Sequence, residues 1–175
     1  MGERVGLGSA AVDVRRLEVR DLDMLNRELP AWNGDEYARR LRAQGRLQMV
    51  QAVAWVGETP VGRGMVLFPE HEEYSDSATR EGCAEVRDVQ VLEAHRRRGA
   101  ATAIMRVLEE GAREQAFRRV GLSVSLDDEA APARALYQRL GYRDAHGPFL
   151  MSTNLDGDDG PFPVGAVLTY LVREL

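Results

Sequence analysis

A run of three arginines stands directly before the clearest helical pattern in the chain. Small residues follow these arginines where the helical pattern begins, and the whole segment reads Arg96, Arg97, Arg98, Gly99, Ala100, Ala101, Thr102. The first turn of a helix has unpaired backbone N–H groups and the positive end of the helix dipole, and small residues let a phosphate approach the main chain. The segment therefore predicts an anion site, for which a pyrophosphate is the most suitable ligand.

Other phosphate loops fit the sequence less well. The chain has no Gly-x-x-x-x-Gly-Lys-Ser/Thr stretch for a nucleoside triphosphate and no Gly-x-Gly-x-x-Gly stretch for a dinucleotide. Two alternatives stay open at this point. The arginines could form a solvated turn before a helix, or the chain could be an ordinary nucleotide-binding α/β protein.

The composition is that of one globular domain. The chain has 175 residues, of which 44% are hydrophobic, and its formal net charge is −5. This length supports one well-buried core, so we expect a single domain over residues 1–175. An acidic balance offers no broad field to attract nucleic acid or an anionic membrane, and we expect neither as a partner.

The single cysteine and the absence of a leader pattern bear on chemistry and location. Cys83 alone cannot form an intramolecular disulfide or a multi-cysteine zinc site, and we expect it to be a partly buried packing residue. We expect no bound metal. No apolar stretch resembles a secretory signal or a membrane span, which predicts a cytoplasmic protein.

Strand and helix patterns alternate along the chain. Alternating or continuous apolar runs predict strands at 12–17, 49–56, 61–68, 84–91 and 120–126. Helical spacing predicts helices at 22–29, 35–43, 99–117 and 132–140. We interpret residues 1–10 as a loose lead-in, 69–82 as an exposed polar loop, and 156–165 as a loop insertion before the last apolar run. This order predicts a mixed α/β sheet covered by helices.

The predicted helix at 99–117 has two distinct faces. Its apolar stripe is formed by Ala101, Ile104, Met105, Leu108 and Ala112. The opposite face carries Glu109 and Arg113 at i,i+4, which predicts a solvated ion pair.

Two blocks of sequence resemble one family. The spacing Arg96-x-x-Gly99-x-Ala101 is similar to the Gln/Arg-x-x-Gly-x-Gly/Ala pyrophosphate loop of the GNAT N-acetyltransferases. Downstream, the block from Ala133 to Tyr142 resembles the Ala-x-x-Leu-Tyr-x-x-x-Gly-Phe/Tyr ending of that family. The order of elements fits from Val12 to Tyr142. One departure is that Ala130 stands where the family often has Asn, which implies that one contact to the cosubstrate is missing.

The resemblance implies a fold and a cosubstrate. It implies a V-shaped splay between two central parallel strands, with acetyl-CoA bound in the gap. The pyrophosphate would lie on the backbone of residues 97–102, beside Arg96, and the pantetheine arm would pair with main-chain groups of Val89, Gln90 and Val91.

The same resemblance implies two catalytic residues. Tyr137 matches the general acid of the family, although it also lies on the apolar face of its helix and could serve packing alone. Glu85 lies where some members carry a catalytic Glu, and a partly apolar site would raise its pKa toward the working range. A water chain is the alternative base. Strand alternation predicts that Glu85, Arg87, Val89 and Val91 share a face and that Asp88 points away from it.

The expected function is transfer of an acetyl or other acyl group from acetyl-CoA to an amine by direct attack. The alternative is a non-catalytic acyl-CoA-binding or regulatory module with the same fold. The acceptor would be a small molecule or the amine of a protein or peptide, and the protein would be a monomer or a homodimer. Of the histidines, His95 is expected to border the loop, while His71 and His146 are expected at the surface.

Overall fold

A seven-stranded sheet organises the molecule. The computed structural model describes residues 11–31, 34–150 and 165–175, so the predicted lead-in and nearly all of the predicted 156–165 insertion lie outside the described residues. The strands are β1 (Val12–Arg16), β2 (Met49–Val56), β3 (Thr59–Leu67), β4 (Ala84–Val91), β5 (Arg119–Ser125), β6 (Arg143–Leu150) and β7 (Val167–Glu174). Their order across the sheet is β1-β2-β3-β4-β5-β7-β6, and only the central β4 and β5 pair is parallel.

Helices cover both faces of this sheet. They are α1 (Leu22–Glu28), α2 (Glu36–Gly45), α3 (Asp76–Glu81), α4 (Ala100–Glu114) and α5 (Ala131–Arg139). Helix α4 packs across β1 to β5 on one face, which we call the α4 face, and buries Ile104, Met105 and Leu108 there. Gly64 of β3 permits this close approach, because a Cβ at that position would lie 2.8 Å from Ile104 Cγ2. Helices α1 and α2 cover the opposite face, which we call the α2 face.

The predicted fold class is confirmed. The structure is a single mixed α/β sheet flanked by helices, and β2 and β3, which correspond to two of the predicted strands, form an antiparallel hairpin. The two motif-bearing helices also begin within a residue of their predicted starts. Gly141 follows α5 with a φ of 94°, the left-handed conformation expected of a glycine after a helix end.

The prediction of an exposed loop at 69–82 is wrong in part, because the segment contains α3. The Ser75 hydroxyl caps this helix by accepting a 3.1 Å hydrogen bond from the Ala78 backbone N–H. Gly82 ends it in the left-handed conformation. Two capping residues therefore stabilise a short helix that apolar periodicity did not indicate.

The prediction of a solvated Glu109 is also wrong. Glu109 is only 3% exposed, and both of its carboxylate oxygens accept hydrogen bonds from the Arg173 guanidinium at 2.8 and 2.9 Å. The buried Tyr142 hydroxyl donates to the same carboxylate at 3.1 Å. Arg113 pairs with Glu110 instead. Glu109 therefore joins α4 to β7, because a buried carboxylate needs a cation and hydrogen-bond donors around it.

Candidate active site

The two central parallel strands separate after a short paired stretch. Strand β4 pairs with β5 only at Ala84 with Val120 and at Glu85 with Gly121. Beyond this point β4 continues alongside β3, while β5 continues alongside β7. The edge of β4 that faces the gap therefore keeps backbone groups available to another molecule. This is the V-shaped splay that the family resemblance implies.

A bulge in β4 overturns the predicted alternation of its side chains. The β3 and β4 register shifts between Arg63 and Met65, and Asp88 adopts a φ of 53°. One extra residue in the strand reverses the facing of every residue after it. Glu85 and Arg87 therefore share the α2 face with Asp88, whereas Val89 lies on the α4 face, next to Ile104 and Gly64.

Two buried arginines hold Asp88 in this conformation. Arg40 of α2 donates a 2.7 Å hydrogen bond to Asp88 Oδ2, and Arg63 Nε lies 2.9 Å from the same oxygen. Arg40 and Arg63 are 5% and 2% exposed. Gln90 Oε1 accepts a further hydrogen bond from Arg63 at 3.2 Å. A left-handed conformation is unfavourable for Asp in isolation, and this network offsets its cost.

The loop after β4 presents a row of free backbone donors. Arg97 and Gly99 both have positive φ, at 63° and 85°, and they turn the chain into α4. Within the described backbone, the amides of residues 97–102 donate to no carbonyl, and the first bond of the helix is from the Ala103 amide to the Gly99 carbonyl. Left-handed residues beside a helix start form a concave set of N–H groups that suits an anion.

The arginines of this loop carry charge that is not neutralised by the protein. Arg96, Arg97 and Arg98 are exposed, and none of them takes part in an ion pair of the described residues. Arg96 Nε donates to the Val91 carbonyl at 3.0 Å, which holds its stem against the end of β4. The first turn of α4 contains no acidic residue. The loop is therefore electropositive, and it can hold the pyrophosphate of a CoA ligand with both backbone and side-chain donors.

Glu85 is buried beside the start of α3. It is 3% exposed, and its two carboxylate oxygens accept hydrogen bonds from the backbone N–H and the hydroxyl of Ser75 at 2.9 and 2.8 Å. Burial raises the pKa of the Glu85 carboxyl, and the hydrogen bonds from Ser75 oppose that shift. A carboxylate with a raised pKa is suited to accepting a proton near neutral pH.

Tyr137 lies on the other side of the sheet. It is 8% exposed and belongs to the main core cluster, where its ring packs edge to face with Tyr142 at a centroid distance of 5.9 Å. Its hydroxyl forms no hydrogen bond with the described residues, in contrast to the Tyr142 hydroxyl. Burial raises the pKa of Tyr137 to about 12. The hydroxyl therefore keeps its proton at neutral pH and is available to a ligand.

The structure thus places the two predicted catalytic side chains on opposite faces of the sheet. Glu85 pairs across strands with Leu67, whose cluster lies on the α2 face, and Tyr137 packs in the cluster on the α4 face. The gap between β4 and β5 lies between these two layers. A ligand in the gap is accessible from both faces, so an acid and a base could act on it from opposite sides.

His95 lies where it was predicted, but His71 and His146, which were predicted at the surface, are half-buried. His95 borders the loop as expected, with its Nδ1 buried and unpartnered in the described structure. His146 lies in β6 and stacks on the buried Tyr170, and its ring nitrogens contact Ser77 Oγ at 3.0 Å and Glu81 Oε1 at 3.2 Å. His71 is half-buried, and burial lowers its pKa. No local pattern identified the His146 contacts, because they join β6 to α3 over long sequence distance.

In the parts of the chain that the structure describes, no cluster of His, Cys, Asp and Glu could hold a metal ion. None of the described helices is long and apolar enough to cross a membrane.

Comparison with known families agrees with this fold. The model of the Acetyltransferase (GNAT) family matches residues 12–142, which include the loop, the strand pair and the block that contains Tyr137. The fold and the matched segment define an acyl-CoA-dependent acyltransferase. The chain belongs to the GNAT family of acetyltransferases. A search of curated proteins found no match.

Solved structures share the same fold at low sequence identity. An N-acetyltransferase from Staphylococcus aureus Mu50 has a TM-score of 0.68 and 12% identity, over 93% of this chain and 98% of that chain. The ribosomal-protein-alanine N-acetyltransferase from Brucella melitensis has a TM-score of 0.66 and 18% identity, over 93% and 99% of the two chains. A GNAT family acetyltransferase from Elizabethkingia anophelis with acetyl-CoA bound has a TM-score of 0.57 and 14% identity, over 94% and 98%.

Proposed function

We propose that this protein transfers an acetyl group from acetyl-CoA to a primary amine by direct attack of the amine on the thioester. The observation that best supports acetyl-CoA as the cosubstrate is the row of unpaired backbone amides at residues 97–102, beside three exposed arginines. The acetyl-CoA bound in the Elizabethkingia anophelis relative supports this choice of donor. The free edge of β4 at Val89, Gln90 and Val91 would pair with the pantetheine amides.

The residues around the gap suit direct transfer. A bound acetyl-CoA supplies an activated thioester carbonyl. Glu85 accepts the proton that the attacking amine loses. The Tyr137 hydroxyl donates to the departing sulfur, and because its pKa of about 12 lies above that of an ordinary thiol, it acts mainly by hydrogen bonding to the developing thiolate.

A covalent acetyl-enzyme is disfavoured by the state of the only cysteine. Cys83 is fully buried, and its Sγ lies 3.4 Å from the Tyr170 hydroxyl. Burial raises the pKa of the Cys83 thiol, which reduces the thiolate available for attack at neutral pH. No thioester on this residue is therefore part of the proposed reaction.

Thiol release from acetyl-CoA in the presence of a panel of primary amines tests the proposal. We expect thiol release that depends on the amine. Double-reciprocal plots of initial rates should intersect, as they do when both substrates bind before the reaction. The mass of the protein should not increase on incubation with acetyl-CoA alone. CoA should also stabilise the fold by about 2.7 kcal/mol at a hundredfold excess over its Kd. No shift in melting temperature with millimolar CoA would contradict the cosubstrate assignment. The predictions of a cytoplasmic location and of a monomer or homodimer stay predictions.

A further inference from the structure

An open cavity lies on the α2 face, between helix α2 and the segment 70–73. Its volume is about 430 Å³, which is within the usual range for sites that bind small molecules. Met65 of β3 forms part of its lining, and Met65 pairs across strands with Arg87 of β4. The cavity is therefore next to β4, on the same face as Glu85.

One wall of the cavity is basic. It is formed by α2 and the residue after it, with Arg42 and Arg46 one helical turn apart. Both side chains are exposed, and neither forms an ion pair with the described residues. Arg39, in the same wall, pairs with Glu36. Two guanidinium groups are thus available to an anion from the cavity.

The other wall is acidic. Glu70 and Glu72 are exposed and form no ion pair within the described chain, and Glu73 makes a long contact of 3.7 Å with Arg87. Gln48 fixes this wall by donating a 3.2 Å hydrogen bond to the Glu70 carbonyl. His71 between these residues is half-buried, and burial lowers its pKa, so it adds no charge to the wall at neutral pH.

The two walls carry opposite charges and line the same cavity. No ion pair of the described residues crosses the cavity. A ligand that carries a negative group at one end and a positive group at the other would satisfy both walls. A carboxylate suits the arginines because it accepts parallel hydrogen bonds from guanidinium groups, and an ammonium suits the glutamates.

The acidic wall is close to Glu85 along the chain, while α2 reaches β4 through the hydrogen bond from Arg40 to Asp88. The acidic wall continues through Glu73 to Ser75, which donates both of its hydrogen bonds to Glu85. Glu73 also accepts a 2.8 Å hydrogen bond from Arg87 at its carbonyl oxygen. A dipolar ligand would therefore place its amine on the side of Glu85 and its carboxylate at the far side, against Arg42 and Arg46.

We propose that this cavity is the acceptor site and that the acceptor is a small molecule that carries both an amine and a carboxylate. The proposal rests on the proposed amine transfer and specifies its substrate class. The acidic wall attracts the ammonium form of the acceptor, which loses one proton to solvent before the nitrogen can attack. Glu85 then accepts the second proton, as the N–C bond forms and the C–S bond of the thioester breaks. The arginine wall selects acceptors by their acid group.

A graded set of acceptors tests this selection and measures the span between the walls. The probes are ω-amino acids with two to six carbons, from glycine to 6-aminohexanoate, beside the unsubstituted alkylamines of equal length. L-Leucine, L-leucinamide and 3-methylbutylamine form a second set. We expect the best amino acid to exceed its uncharged counterpart by at least about tenfold in kcat/KM, the worth of one hydrogen-bonded charge. An optimum at one chain length should mark the distance between the walls.

Variants of the basic wall separate binding of the acid group from folding and from cosubstrate binding. Arg42→Gln and Arg46→Gln should each raise the KM of the best amino acid about tenfold and leave the KM of acetyl-CoA and of the alkylamines unchanged. Arg106→Gln is the matched control, because Arg106 is an exposed arginine of α4 on the other face of the sheet. It should change none of these constants.

Failure of the acceptor assignment and failure of amine transfer would give different results. Equal kcat/KM for amino acids and alkylamines, or an unchanged KM in Arg42→Gln and Arg46→Gln, would overturn the acceptor class while amine transfer stands. If no amine supports thiol release, the proposed function fails, and calorimetric titration of the same amino acids into the protein with CoA then decides on the cavity. Binding that Arg42→Gln weakens would support the site, and no binding by any of them would overturn it.

Discussion

Asp88 and Arg40 are joined by a 2.7 Å hydrogen bond between two nearly buried side chains, one in β4 and the other in α2. The contact holds the bulge of β4 at the point where this strand has left β5. The conformation of the strand edge proposed to bind pantetheine therefore depends on a charge in a helix 48 residues earlier.

Asp88→Asn should weaken CoA binding. The change leaves the Arg40 and Arg63 charges buried without their carboxylate, and loss of one partner of a buried pair costs about 3 to 5 kcal/mol of unfolding free energy. The bulge should relax, so the Kd for CoA should rise about tenfold or more, the effect of one lost charge-assisted hydrogen bond. Isothermal titration calorimetry with CoA, at a temperature below the melting transition of the variant, measures this Kd. Asp21→Asn, which breaks the Arg15 pair far from β4, is the control and should lower stability with an unchanged Kd.

Gly99→Glu should abolish CoA binding. The new side chain would bring bulk and negative charge to the amides of residues 97–102. The left-handed φ of 85° adds strain of about 1 to 2 kcal/mol for any other residue. Gly57→Glu is a matched control, since Gly57 also has a positive φ of 60° and, like Gly99, open space at its Cβ. Equal CoA affinity in both folded variants would show that the pyrophosphate binds elsewhere.

Tyr137→Phe should lower turnover and leave acetyl-CoA affinity nearly unchanged. Phe keeps the ring that packs in the core, and only the hydroxyl is lost. A positioned general acid contributes on the order of 10² to 10⁴ in rate, and the lower end is expected here because a thiolate is already a fair leaving group. Tyr142→Phe is the control: it removes a buried bond to Glu109 and should cost about 1.5 kcal/mol of stability without slowing turnover. Turnover of Tyr137→Phe within about threefold of wild type, well short of that range, would remove Tyr137 from catalysis.

The pH profile should report the state of Glu85. A base acts when it is deprotonated, so kcat/KM should fall as the pH falls through the pKa of Glu85, which burial raises above its ordinary value. Glu85→Gln should lower turnover by a factor on the order of 10² to 10⁴, and the decrease of kcat/KM at low pH, the acid limb of the profile, should disappear. Ser75→Ala removes a hydrogen bond that opposes the shift, so the limb should move to higher pH. A decrease that persists at the same pH in Glu85→Gln would show that Glu85 is not the base.

Local patterns in the sequence were enough to predict most of the elements and the position of the loop before α4, but not α3 or β6. Helix α4 is long and strongly amphipathic, and the small residues and arginines before it lie next to one another in the chain, so both features can be read without knowledge of the fold. The family resemblance added the gap between β4 and β5, which the register of the two strands then confirmed. The roles of Tyr137, Glu85 and the residues from 89 to 102 stay predictions.

Only the tertiary structure decided which side chains share a face and which charges are buried. The bulge at Asp88 reverses the alternation of β4 because Arg40 and Arg63, distant in sequence, surround its carboxylate. Glu109 is buried because Arg173 reaches it from the last strand. The cavity between α2 and the segment 70–73 likewise joins separate parts of the chain. Periodicity describes contacts within an element, whereas pairing of buried charges depends on which elements fold against each other.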